Sequence, residues 1–130
     1  MGDIVWHGHH ENVCPLEELD GTIEERRQQI IAEKPAGEHE LRLRLLRLAS
    51  PEAVEAWAAY HAALAPAWRA FDEVLALDQA AYVAYDAAVA AWAAAYDAAV
   101  ATALRPILAL HAIECPDCPW DGHSIFGGTA

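Results

Sequence analysis

The chain has 130 residues, of which 55% are hydrophobic, and its formal net charge is −12 from 20 acidic and 8 basic residues. That length suits a single domain, residues 1–130, while the negative charge argues against a duplex-binding protein, because neutralising phosphates takes Lys and Arg. Three cysteines, an odd number, and the lack of a signal peptide or a long uninterrupted apolar run indicate a cytoplasmic protein without disulfides or a membrane span.

The first 21 residues show no helical period, and we expect them to form an irregular N-terminal arm. A helix is then predicted from Thr22, because "TIEE" offers Thr22 as the N-cap and Glu25 as its capping-box partner. This helix should end near Lys34, where Pro35 follows.

A second short helix is predicted within residues 22–49, in the stretch "EHELRLRLLRLA". Its first residues alternate Leu and Arg as a strand does, yet Leu41, Leu45 and Leu48 also share one helix face. Leu and Arg are good helix formers, and we see no other strand for this stretch to pair with, so a helix is the better interpretation.

Residues 50–113 form the dominant predicted element, a long alanine-rich helical segment. Ser50 is a suitable N-cap, and Pro51 is tolerated at the first helical position. Apolar and aromatic residues then recur at alternating spacings of three and four, a pattern typical of an amphipathic helix or a coiled coil. The seam reads Val54, Trp57, His61, Leu64, Trp68, Phe71, Leu75, Asp78, Tyr82, Tyr85, Val89, Trp92 and Tyr96.

An unbroken helix over this segment would be about 95 Å long and would expose its aromatic stripe. We therefore expect a break near Pro66, which cannot donate its backbone hydrogen bond, or near Asp78, a polar seam residue able to cap a new helix. A helical hairpin would result.

The tail, residues 114–130, contains the chemistry-bearing motif "CPDCP". Cys115 and Cys118 have the C-x2-C spacing with which two thiolates bind one tetrahedral zinc ion from a tight turn. These five residues resemble the knuckle of zinc-ribbon and rubredoxin-like sites, although Pro119 stands where those sites usually have glycine. The resemblance implies metal binding and nothing beyond it.

One knuckle supplies half of a site, so the other ligands must come from elsewhere in the chain. His111 lies four residues before Cys115, on the same helix face, and the only remaining cysteine is Cys14. The predicted zinc ligands are Cys14, His111, Cys115 and Cys118, and the alternatives for the histidine are, in order, His10, His123, His9 and His7.

The distances along the chain connect this metal site to the fold. The two short helices and their connections span less than about 95 Å, so Cys14 reaches Cys115 within one chain only if the long segment breaks. The predicted fold is therefore an all-α helical bundle with a long amphipathic hairpin and irregular terminal arms joined by the metal knuckle.

These features predict a small zinc-stapled protein with a structural or protein-interaction role rather than an enzyme. Its partner would be another protein or a second copy, bound through the aromatic seam. The alternatives are a small metal-dependent hydrolase or thiol oxidoreductase, and a nucleic-acid-binding zinc-knuckle protein that uses Arg42, Arg44 and Arg47. The alanine- and arginine-rich composition is typical of actinobacteria and their phages, which suggests an accessory protein.

Overall fold

The structure, a computed structural model, describes residues 2–77 and 82–126 and is mostly helical. The helices are α1 (Ile23–Glu33), α2 (His39–Leu45), α3 (Pro51–Ala76) and α4 (Tyr82–Glu114), and a 3-10 turn at Ala36–Glu38 precedes α2. The strands are β1 (Ile4–Trp6), β2 (Leu16–Glu18) and β3 (Arg47–Leu48).

The chain divides into two compact units. Unit 1 comprises residues 1–57 and 107–130, and unit 2 comprises residues 58–106. Unit 1 thus holds all three strands, the two short helices, the first turns of α3, the last turns of α4 and the tail. Unit 2 contains the rest of α3 and α4, which form a helical hairpin.

The expectation of an irregular N-terminal arm is wrong at two places. β1 pairs antiparallel with β2 and with β3, which gives a three-stranded sheet in the order β2-β1-β3. Val5 on β1 is fully buried and packs with Leu19, Ile30 and Leu46 in the first core cluster of unit 1. Strands of two or three residues are too short to show an alternating pattern, which is why the sequence did not reveal them.

The second predicted helix is shorter than expected. α2 ends at Leu45, Leu46 turns to an extended conformation with φ −70° and ψ 108°, and the chain continues as β3. Leu46 is 1% exposed and belongs to the core beneath the sheet. Burial of Leu46 and pairing with β1 therefore override the helix propensity of the Leu- and Arg-rich stretch.

The predicted start of α1 is confirmed. The Thr22 side chain accepts a hydrogen bond from the Glu25 backbone N–H, and the Glu25 carboxylate accepts one from the Thr22 backbone N–H at 3.2 Å. These contacts satisfy two backbone N–H groups that the first turn leaves without helical partners. The helix ends at Glu33, one residue before the predicted end.

The long segment forms two packed helices, as the sequence predicted. α3 continues through Pro66 and ends at Ala76, so the suggested break at Pro66 is wrong. The other suggested break point, Asp78, lies outside the described residues. Phe71 on α3 contacts Trp92 on α4 with ring centroids 5.5 Å apart, within unit 2.

The apolar character of α4 is high enough to pass a simple test for membrane spans. By length and composition, residues 83–114 could cross a bilayer, a test that the core helix of a soluble protein passes as well. Asp86, Asp97 and Arg105 interrupt this stretch.

The Thr22 cap offers a direct test of how much a local signal contributes to unit 1. Thr22→Ala should lower the free energy of unfolding by about 1 kcal/mol, because the first turn of α1 loses its side-chain acceptor. Thr22→Ser keeps a hydroxyl and should stay close to wild type. Chemical denaturation of both variants measures the difference, and equal stability of the two would show that the cap contributes little.

Candidate metal centre

His7 enters the site from the end of β1. Its backbone N–H donates to the Pro15 carbonyl at 2.9 Å, and its φ of 52° lies in the left-handed region that few non-glycine residues adopt. Such a backbone conformation persists only where the surroundings hold it, and it is often found at functional sites. The His7 side chain is 5% exposed.

The other three residues of the site come from the end of α4 and the turn that follows. His111 and Cys115 are four residues apart and share one face, since the Cys115 N–H still donates to the His111 carbonyl at 2.9 Å. Asp117, with φ 59°, reverses the chain between the two cysteines and returns Cys118 to the same place.

These four side chains bring their donor atoms together. The Nε2 atoms of His7 and His111 are 3.0 Å apart, and Cys118 Sγ lies 3.3 Å from His7 Nε2. One ligand atom from each of His7, His111, Cys115 and Cys118 lies within 4.8 Å of all the others. A group of two imidazole nitrogens and two sulfurs at these separations could hold a metal ion.

Aromatic rings surround the histidines. Trp120 lies 5.1 Å from the His111 ring and 6.0 Å from the His7 ring, between centroids, while Trp6 lies 5.5 Å from His111. His7 and Cys115 are buried, and His111 and Cys118 are half-buried, so the group is partly screened from water. Apolar walls of this kind strengthen the interaction between donor atoms and a cation.

Burial lowers the pKa of His7 to about 4, aided by His111 and Arg47, and burial also lowers the pKa of His111. Both imidazoles are therefore neutral near pH 7 and can offer a lone pair to a cation. Burial, with a hydrogen bond to Cys118, raises the pKa of the Cys115 thiol to about 12. Such a thiol is a poor nucleophile by itself, and a bound metal ion is what would deprotonate it.

Three hydrogen bonds join the tail, at Trp120, His123 and Ile125, to the N-terminal loop that contains His10 and Asn12. The Asn12 N–H donates to the His123 carbonyl at 2.9 Å, and the Ile125 N–H donates to the His10 carbonyl at 3.0 Å. The Trp120 indole N–H donates to the Asn12 carbonyl at 3.3 Å. Ile125 also packs with Leu45 and Cys115 in the second core cluster of unit 1. The first cysteine of the knuckle is therefore packed against both α2 and the tail.

Glu114, immediately before the knuckle, connects three segments of unit 1. Its carboxylate accepts hydrogen bonds from the Trp6 indole at 3.0 Å and from the Ser50 hydroxyl at 2.6 Å, while its backbone carbonyl accepts one from Arg47 at 3.1 Å. Partial burial alone would raise the pKa of Glu114, but the hydrogen bonds from Ser50 and Trp6 outweigh it and leave the pKa below its usual value. Ser50 in turn accepts from the Ala53 N–H as the cap of α3.

The structure brings together three of the four predicted ligands, His111, Cys115 and Cys118, and adds His7 where the sequence suggested Cys14. Cys14 is 8% exposed and lies outside this group, and burial raises the pKa of its thiol. It fills the position of a small buried hydrophobic residue.

The remaining candidate histidines have other surroundings. His10 lies 3.3 Å from the Arg42 guanidinium through Nδ1 and contacts the Phe126 ring, and His9 contacts Glu17 at 2.7 Å. His123 is exposed. Among the described residues, none of the three belongs to the His/Cys group. The signal for His7 was its place directly after the apolar residues "IVW", which the structure shows to be β1.

Comparison of the chain with protein-family models, with curated proteins and with solved structures finds no match. The assignment of the site therefore depends on its own geometry.

Substitutions at His7 and at Cys14 distinguish the observed His/Cys group from the ligand set predicted from the sequence. His7→Gln should weaken metal binding by more than about 100-fold, because losing even an outer hydrogen-bond partner of a metal ligand costs about 10–100-fold. Cys14→Ala should leave the stoichiometry and affinity unchanged. A competition titration with a chromophoric chelator measures both. Loss of metal from Cys14→Ala with retention in His7→Gln would contradict the observed grouping.

The carboxylate of Glu114 can be tested independently of the metal ligands. Glu114→Gln should lower the free energy of unfolding by about 1–3 kcal/mol, because the amide group replaces one acceptor oxygen with a donor facing Ser50 or Trp6. Glu40→Gln, at an exposed position on α2 of the same unit, is the matched control and should change stability little. Equal effects in denaturant titrations would rule out a special role for Glu114.

Proposed function

We propose that this protein binds one zinc ion through His7, His111, Cys115 and Cys118, and that this ion is a structural staple in a small helical protein that acts through its surfaces. The observation that carries the proposal is the convergence of four nitrogen and sulfur donors from two distant parts of the chain, residue 7 and residues 111–118. Zinc is the metal most often held by such a set in four-coordinate tetrahedral sites.

The distances support a tetrahedral ion. With Zn–N of about 2.0–2.1 Å and Zn–S of about 2.3 Å, the edges of the tetrahedron are roughly 3.3–3.8 Å. The separations of 3.0 Å between the His7 and His111 nitrogens and 3.3 Å between Cys118 and His7 are slightly shorter than these edges. The other ligand atoms of the group lie within 4.8 Å of one another, so a shift of at most about 1.5 Å would bring the most distant pair to a tetrahedral edge.

A full set of protein ligands favours a structural role over catalysis. Catalytic zinc sites keep one position for water or substrate, whereas two histidines and two cysteines would occupy all four positions. The high pKa of Cys115 is the opposite of what a reactive redox dithiol needs. Neither of the enzyme alternatives therefore has a specific observation in its favour.

The reduced state of the cysteines fits the same proposal. All three are free thiols, and zinc binding by thiolates is favoured where the surroundings keep cysteines reduced. We therefore propose a reducing, cytoplasmic setting for the protein, in which the zinc would do for unit 1 what a disulfide does for a secreted domain.

Native mass spectrometry of protein purified without chelator tests the proposal first. One zinc per chain is expected, and cobalt substitution should give the absorption of a tetrahedral ion with thiolate ligands. A chain that binds no metal, or an ion with an exchangeable water ligand, would overturn the structural zinc centre.

Removal of the metal should weaken unit 1. At free zinc about 1,000-fold above the dissociation constant, binding adds about 4 kcal/mol to the free energy of unfolding, and chelation should remove that amount. Denaturant titrations with and without chelator measure the difference, and Cys118→Ser protein should show none. Equal stability of the wild type in both conditions would contradict a staple.

A further inference from the structure

In unit 2, α3 carries two series of residues at seven-residue spacing, one buried and one exposed. Tyr60, Ala67 and Val74 are seven residues apart and buried, with exposures of 5%, 1% and 7%. The residues that follow each of them, His61, Trp68 and Leu75, form a second series with the same spacing, and it is exposed. Trp68 is 50% exposed and Leu75 is 68% exposed, so large apolar side chains line the outside of the helix.

Trp68 is also held in place from within the hairpin. Its ring meets Phe71 edge-on at 6.2 Å, Phe71 meets Trp92 at 5.5 Å, and Trp92 meets Tyr96 at 6.3 Å. The exposed indole is thus the outer end of a row of aromatic contacts that crosses both helices. A tryptophan ordered before binding loses little entropy when a partner covers it, which is typical of interface hot spots.

The hairpin is also the least charged part of the chain. Residues 58–106 contain two basic and five acidic side chains, a net charge of −3 out of −12 for the whole protein. Two copies of a strongly acidic chain repel each other least where this charge is lowest. The surface of unit 2 is therefore the part on which a second copy can approach at the smallest electrostatic cost.

We propose that a second copy of this chain covers the face formed by His61, Trp68 and Leu75, so that two hairpins form a four-helix bundle related by a two-fold axis. A helix with a buried series and, beside it, a second series that exposes Trp68 and Leu75 has the pattern of bundle helices, which face the core on more than one side. The proposal rests on unit 2 alone and not on the metal centre.

The spacing itself fits a two-fold partner. His61 and Leu75 lie seven residues before and after Trp68, so an axis at Trp68 places indole against indole in an antiparallel pair. The whole side of the hairpin on which this face lies, α3 and α4 together, is about 30 Å long and about 20 Å wide, and covering it buries roughly 600 Å² per chain, or about 1,200 Å² in total. That area is the lower limit for stable interfaces, so the dimer should dissociate on dilution.

A lipid bilayer is the competing occupant, since α4 is apolar and only 11% of its most apolar stretch is buried. Charges along the hairpin argue against it. Arg69, Asp72 and Glu73 lie on α3 close to Trp68, and Asp86 and Asp97 lie on α4. Each charged residue placed at the centre of a membrane costs about 2.5–3.5 kcal/mol, whereas beside a protein partner the exposed Arg69 and Glu73, which lie off the face of Trp68, stay in water.

The test is sedimentation equilibrium of the full-length protein between about 1 and about 100 μM, the range in which interfaces of this size dissociate. The wild type should be a reversible dimer. Trp68→Glu and Leu75→Glu should each raise the dissociation constant by at least about 30-fold, the loss of a hot spot of about 2 kcal/mol. Ile31→Glu, on α1 of unit 1 with 53% exposure, is the matched control and should leave the dimer intact.

Several outcomes would overturn the proposal. A wild type that is monomeric throughout, or a Trp68→Glu dimer as tight as the wild type, would show that this face does not join two copies. A monomer that floats with phospholipid vesicles would assign the face to a bilayer. Circular dichroism of each variant checks that the helices persist, and Leu75→Glu serves if Trp68→Glu does not fold.

Native mass spectrometry of the same protein distinguishes failure of this proposal from failure of the metal centre. Native mass spectrometry counts chains and zinc together, so a dimer without zinc would overturn the staple and keep the self-association. A zinc-bound monomer would do the reverse.

Discussion

The convergence of His7, His111, Cys115 and Cys118 is the constraint on which the rest of unit 1 depends. The ordered elements around it are short, with strands of two or three residues and a seven-residue α2. Elements of that length are not stable alone in water, because few hydrogen bonds and little apolar area offset the entropy of ordering them. A metal that binds only the assembled arrangement would add its binding energy to folding, which is the contribution that such a unit lacks.

Glu114 holds the same region by a different physical means. Its carboxylate collects donors from Trp6 on β1 and Ser50 at the start of α3, and its backbone carbonyl takes the Arg47 donor on β3. Hydrogen bonds to a charged group are stronger than neutral ones, and they are directional. Because Glu114 immediately precedes Cys115, the contacts that fix the carboxylate also fix the direction in which the knuckle leaves α4.

The parts of this structure that the sequence predicted are those governed by local rules. The capping box of Thr22 and Glu25 involves residues three apart, and the hairpin follows from periodicity over many turns. The sheet and the fourth residue of the His/Cys group depend on contacts between distant segments. A cysteine is a stronger metal-ligand signal than a histidine in a loop, so Cys14 was placed in the predicted ligand set and His7 came last among the alternatives for the histidine. The position of His7 beside His111 follows from the fold of the N-terminal strand and loop, which the sequence did not predict.

The burial of residues along α3 shows that the spacing of apolar residues does not by itself identify the buried face of a helix. The predicted seam is buried at Leu64, but its other half, at His61, Trp68 and Leu75, is exposed, and the residues one position earlier, Tyr60, Ala67 and Val74, are buried instead. Both series repeat every seven residues, so spacing alone cannot distinguish them. Ala67 lies at the buried position next to Trp68, because a small side chain lets neighbouring helices approach closely and a tryptophan does not fit there. At residues 67 and 68 the hairpin thus keeps a smaller side chain inside and a larger apolar one outside, which is unfavourable for an isolated pair of helices and favourable once a second apolar face covers Trp68.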